Sequence, residues 1–217
     1  MENLMKSKLV DVINAMKGGH LPDWTHTVSV ETEDTTEKVF DIVDTKGNPG
    51  SIVREKDTGH ATYYNGDEGV TYILRFIKYE EFVNQFREFS ADGKILKDWC
   101  KNVSRPDYMC YTTDKEKYFI VHELSEGSIN NKLSKARTQL AGCIQFLMKS
   151  DEVKAYLDKF ERRICYVSAK GGVEYSPNGM ADSFNEIYNN IPTPNPIKCS
   201  TFARRGFEAY ETRVVKL

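Results

Sequence analysis

Apolar residues first recur at helical spacing. In residues 2–17, Leu4, Met5, Leu9, Val12, Ile13 and Met16 fall on one side of a 3.6-residue period, and Gly18-Gly19 ends the run. Across residues 26–75 the period shortens to two. "THTVSVET", "KVFDIVD", "GSIVRE" and "TYILRF" predict strands, punctuated by turn residues in "TKGNPG" and "YNGDEG". "KYEEFVNQFREF" returns to helical spacing, and "KILKDWCKN" predicts a short helix or turn. Residues 105–127, "RPDYMCYTTDKEKYFIVHELSEG", read as two strands around a turn. Residues 130–160 carry the strongest helical pattern, with a break expected near Ser150-Asp151.

"RRICYVSA" predicts an inner strand, "ADSFNEIYNNI" a short helix, "PTPNP" a stiff loop and "FEAYETRVVKL" a closing strand. This order predicts an α/β (α+β) chain: one domain over 1–217 with a central mixed β-sheet flanked by helices. A helix and β-rich region (1–99) precede a C-terminal core (100–217).

Composition changes this picture little. The chain has 217 residues, 40% of them hydrophobic, enough to fill a core, and no run approaches the ~18 apolar residues of a membrane span. The N-terminus lacks a secretory apolar core, so a cytoplasmic protein is expected. A net charge of −2 does not announce a nucleic-acid partner, although clustered cations can still bind one. The five cysteines are odd in number and contain no Cys-x-x-Cys pair, and the four histidines show no ligand spacing; buried free thiols are expected and a zinc site is not.

The residues with candidate chemistry sit in the hairpin. Alternation puts Phe119, Val121, Glu123 and Ser125 on one face of the second strand, and Tyr118, Ile120, His122 and Leu124 on the other. An odd-length loop sets Asp107 opposite Glu123; a two-residue loop would set it opposite His122 and aim it wrongly. Two carboxylates on one face can hold Mg²⁺ against a phosphate oxygen.

This arrangement resembles the PD-(D/E)xK nuclease superfamily: Pro106-Asp107 matches its PD element and Glu123-Leu124-Ser125 its (D/E)xK element. The likeness covers about residues 100–170 and leaves out the N-terminal third. It implies a restriction-endonuclease-like core, Mg²⁺ (or Mn²⁺) held by Asp107 and Glu123, DNA as partner and phosphodiester hydrolysis as the activity. The departure is Ser125, which stands where the motif carries lysine and has no charge to replace it.

The helix after the hairpin offers a surrogate. Leu133, Ala136, Leu140, Ile144 and Leu147 predict its buried stripe. Lys132 and Gln139, seven residues apart, share one flank, and Lys135 lies farther round. Lys132 is the first candidate for the missing cation and Gln139 the second candidate, orienting water or phosphate. Glu80 and Glu81 are candidates for an upstream acid, Arg162-Arg163 and Arg204-Arg205 for phosphate contacts, and His122 for a packed core histidine. The alternative is a nuclease fold that has lost its chemistry and serves as a binding module with a protein partner. A homodimer is compatible with either reading.

Overall fold

The computed structural model describes residues 1–45, 50–66, 69–127, 133–170 and 194–217. The N-terminal helix runs through α1 (Glu2–Leu4), a π-helical turn (Met5–Leu9) and α2 (Val10–Met16). Its buried face is Met5, Leu9, Val10 and Ile13, and it ends where Gly18 and Gly19 take φ of +67° and +77°.

The main sheet has seven strands, in the order β1-β5-β8-β9-β10-β12-β11. They are β1 (Thr32–Thr35), β5 (Leu74–Lys78), β8 (Tyr108–Thr112), β9 (Tyr118–Ser125), β10 (Arg162–Ala169), β12 (Glu208–Glu211) and β11 (Asn195–Pro196). β9, β10 and β12 are parallel neighbours and the remaining pairs are antiparallel, so the fold is mixed α+β. Between β9 and β10 the chain crosses over through α4 (Leu133–Leu147) and α5 (Asp151–Leu157). Ser150 separates these two helices and caps the second, its Oγ accepting the Val153 N–H at 3.2 Å.

The two faces of this sheet meet different layers. Ile77, Met109, Tyr111, Phe119, Val121, Cys165 and Val167 pack beneath the helices, including α3 (Tyr79–Asn84) and the short helix Ser200–Arg204. Leu74, Phe76, Tyr108, Cys110, Ile120, Ile164 and Tyr166 pack against a second, four-stranded sheet. That sheet orders β13 (Val214–Lys216), β4 (Ala61–Tyr64), β2 (Val39–Ile42) and β3 (Val53–Arg54). Because both faces are covered, β8 and β9 read as nearly continuous apolar runs rather than as alternation. The expected helices therefore flank one face, and strands from both ends of the chain cover the other.

His122 projects between the sheets and is completely buried. Its Nδ1 lies 2.8 Å from the Tyr63 hydroxyl and its Nε2 2.8 Å from Ser168 Oγ, which in turn donates to the Thr212 carbonyl. Burial, with a smaller contribution from His60, holds the ring down to about 3. This is the packed histidine expected from strand alternation.

Several local expectations fail. The helix over "KYEEFVNQFREF" stops at Asn84; the chain then forms β6 (Arg87–Phe89), paired with β7 (Ile95–Asp98) where a short helix or turn was expected. A turn with Gly93 at φ +78° joins them, and Arg87 meets Asp98 at 3.2 Å. "THTVSVET" opens as a 3-10 turn (Asp23–Thr27), and the strand starts only at Thr32. "FEAYETRVVKL" divides into β12 and β13, which enter different sheets, and β4 is a strand that the pattern did not single out. The helix expected at 181–191 lies outside the described residues.

All five cysteines are free; four are buried and Cys199 is half-buried. Burial pushes the Cys100 thiol up to about 12, and Cys110 and Cys165 well above the ordinary range, which suits packing groups and not nucleophiles. Among the described residues, no helix is long and apolar enough to cross a membrane.

Candidate functional site

The hairpin register sets the site. Tyr108 pairs with His122 and Met109 with Val121 across an odd, five-residue loop, Thr113 to Lys117. One step further, the same register brings Asp107 opposite Glu123. Asp107 lies against β9: its Oδ2 accepts the Leu124 N–H at 2.6 Å. Its main-chain carbonyl accepts the N–H groups of Tyr79 and Glu80, at 3.1 and 3.3 Å, at the start of α3. One residue thus ties together the end of β9 and the helix that carries Glu80.

These groups open onto a cleft of about 310 Å³ at the end of β9. Asp107, Glu123, Ser125 and Gln139 all line it, together with Glu80. Glu81 lines only a small neighbouring hollow. Lys132, the first candidate for the missing cation, lies outside the described residues. Lys135, expected farther round the helix, lines the cleft, one helical turn from Gln139.

Gln139 donates its amide to the Arg105 carbonyl at 3.3 Å, so it braces the segment leading to Asp107. The Arg105 Nη2 is held by both Asp98 oxygens, at 2.8 and 2.7 Å. The Ser125 hydroxyl is buried with no hydrogen-bond partner among the described residues, beside Ala169 of β10.

One wall residue and its support carried no pattern in the sequence. Asp44 follows β2 and lines the cleft from the small sheet, and His60 supports it from behind without lining the cleft itself. His60 Nδ1 accepts the Asp44 N–H at 3.3 Å, which leaves Nε2 as the donor to Glu126 at 2.9 Å. No signal in the sequence brings these residues to the hairpin, because the contact exists only once the second sheet has docked. Arg162 and Arg163 are engaged away from the cleft, with Glu208 and Asp158.

Asp44, Glu80, Asp107, Glu123 and Glu126 face two cations, Lys135 and Arg105, across the cleft. Such a wall repels a phosphate unless a cation stands between. Among the described residues, no group of three or more His, Cys, Asp or Glu forms a ligand cage. The carboxylates of Asp107 and Glu123, both lining the cleft, are hard oxygen donors of the type that Mg²⁺ or Mn²⁺ takes.

No protein-family model, no curated protein and no solved structure matches the chain.

Proposed function

We propose that the chain is a metal-dependent deoxyribonuclease of the PD-(D/E)xK type. The observation that carries this reading is the hairpin register, which brings Asp107 opposite Glu123 at the mouth of one cleft with Glu80, Ser125 and Gln139. The sheet run β8, β9, α4, β10 supplies the hairpin–helix–strand frame that the resemblance implies.

In this reading Asp107 and Glu123 hold Mg²⁺ or Mn²⁺. Once bound, the ion supplies a Lewis acid for the phosphate and lowers the pKa of a water molecule. Lys135 offers positive charge from the helix side, and Gln139 keeps the Asp107 segment in place. Glu80 adds a third carboxylate to the wall.

The test is incubation with plasmid, linear and single-stranded DNA, and RNA, with Mg²⁺, Mn²⁺ or chelator. Cleavage that needs the divalent ion and falls by about 10²-fold or more in Glu123→Ala supports the reading. Equal cleavage by wild type and Glu123→Ala overturns it.

A second reading, a nuclease fold that binds without cutting, draws on Ser125. Its hydroxyl stands where the motif places lysine, against a wall dominated by carboxylates. Metal-independent DNA or protein binding by a chain that cleaves nothing would favour it.

A further inference from the structure

A larger cavity, about 540 Å³, lies at the opposite end of β9 from the acidic cleft. Tyr118 opens β9 and Glu123 follows five residues later, so the two sites are ~17 Å apart along the strand. Tyr64, Tyr72, Tyr118, Arg162 and Lys216 line this cavity, drawn from both sheets. The rings of Tyr72 and Tyr118 meet edge to face, their centroids 5.5 Å apart, and form its floor. Tyr64 is half-buried and keeps ring surface at the mouth.

The charge here is opposite to that of the cleft. Each tyrosine carries a cation: Lys56 Nζ is 5.9 Å from the Tyr64 centroid, Lys115 Nζ 5.8 Å from Tyr72 and the Arg162 guanidinium 5.8 Å from Tyr118. Glu208 answers Arg162 with bonds of 3.0 and 2.6 Å, and Glu161 answers Lys117. Lys56, Lys115 and Lys216 have no carboxylate within ion-pair distance among the described residues. Of the three, Lys216 lines the cavity, and the paired Arg162 beside it adds a fixed donor, so the charged side chains of the lining are both cations.

Aromatic surface beside one cation without an ion pair and one fixed guanidinium fits a planar ring bearing a phosphate. We propose that this cavity binds a nucleoside 5′-phosphate, its base against Tyr64 and its phosphate beside Lys216 and Arg162. The volume lies within the 300–1,000 Å³ typical of small-molecule sites. The ligand is either a free nucleotide or the phosphorylated end of a strand, which share this chemistry. The inference is independent of the reading of the cleft, since no residue lines both cavities.

Calorimetric titration of the full chain with AMP, adenosine, inorganic phosphate, and an oligonucleotide with and without a 5′-phosphate tests it. Saturable binding of AMP or of the 5′-phosphorylated strand is expected, and whichever binds tighter identifies the source. Adenosine and inorganic phosphate should each bind at least about tenfold more weakly, and affinity should fall as salt rises. Lys216→Glu, a change at an exposed side chain, should weaken binding at least about tenfold, and Glu123→Ala should leave it unchanged. The proposal is overturned by the absence of saturable binding, by wild-type affinity in Lys216→Glu, by adenosine binding as tightly as AMP, or by lost binding in Glu123→Ala.

Discussion

The Asp107 carboxylate accepts the Leu124 N–H at 2.6 Å, which fastens the acid before β8 to the strand residue next to Glu123. Asp107 is therefore a candidate ligand and a structural clasp at once, and the two roles separate by substitution. Asp107→Ala removes the acceptor of a buried N–H and should cost about 1–3 kcal/mol in urea unfolding. Asp107→Asn keeps an acceptor and should retain most of that stability. If Asp107 holds the ion, divalent-dependent cleavage should be lost in both variants; cleavage retained in a folded Asp107→Asn would remove the residue from the site.

Ser125 lies beside Ala169 and lines the cleft with Glu123 and Lys135. Installing the motif lysine there, as Ser125→Lys, places a charge next to Glu123 without displacing a hydrogen bond made within the described residues. Initial cleavage rates should rise by about 10-fold or more. No gain, with binding intact, would favour the non-cutting module.

His122 makes stability depend on pH. Its folded value of about 3 is far below the ordinary 6.5, so between these limits the unfolded chain binds a proton that the folded chain does not. The contribution is fully present above about pH 6.5 and is lost as pH falls through the window to about 3, at up to about 1.4 kcal/mol per pH unit. His122→Gln should flatten this slope in denaturation measured from pH 7 to 4. It should also lower stability at pH 7 by about 1–3 kcal/mol through its bonds to Tyr63 and Ser168. An unchanged slope would show that other groups govern acid sensitivity.

Ser150 caps α5 through the Val153 N–H. Ser150→Ala should cost about 1 kcal/mol of unfolding free energy and leave any activity of the cleft unchanged, because the cap faces away from it. A loss above about 3 kcal/mol would mean that the α4–α5 break carries more than a cap.

Legibility followed the clarity of the local pattern. The hairpin, its facing residues, the break at Ser150 and the inner strand β10 rest on periodicity and on a loop a few residues long, and each could be read directly. The β6–β7 hairpin could not. Helical spacing in "KYEEFVNQFREF" is real, but Arg87 finds Asp98 and the Phe86 carbonyl accepts the Trp99 N–H at 2.9 Å, contacts that override local preference. The same limit applies to the cleft. Asp107, Glu123, Ser125 and Gln139 lie within the hairpin and the helix after it. Asp44 and the His60 behind it arrive only when the second sheet packs, and Lys135 lines the cleft although the pattern set it farther round α4.

The division of residues 208–216 between two sheets has a kinetic consequence. Val214 pairs with Thr62 and Val215 with Tyr63, partners about 150 positions apart, while Glu208–Glu211 joins β10. Closing so long a loop gives no reward until both ends are placed, so β13 is expected to join β4 after the hairpin and its helix have formed. Under mild denaturant the pairing of β13 with β4 should open first, before the hairpin itself is lost.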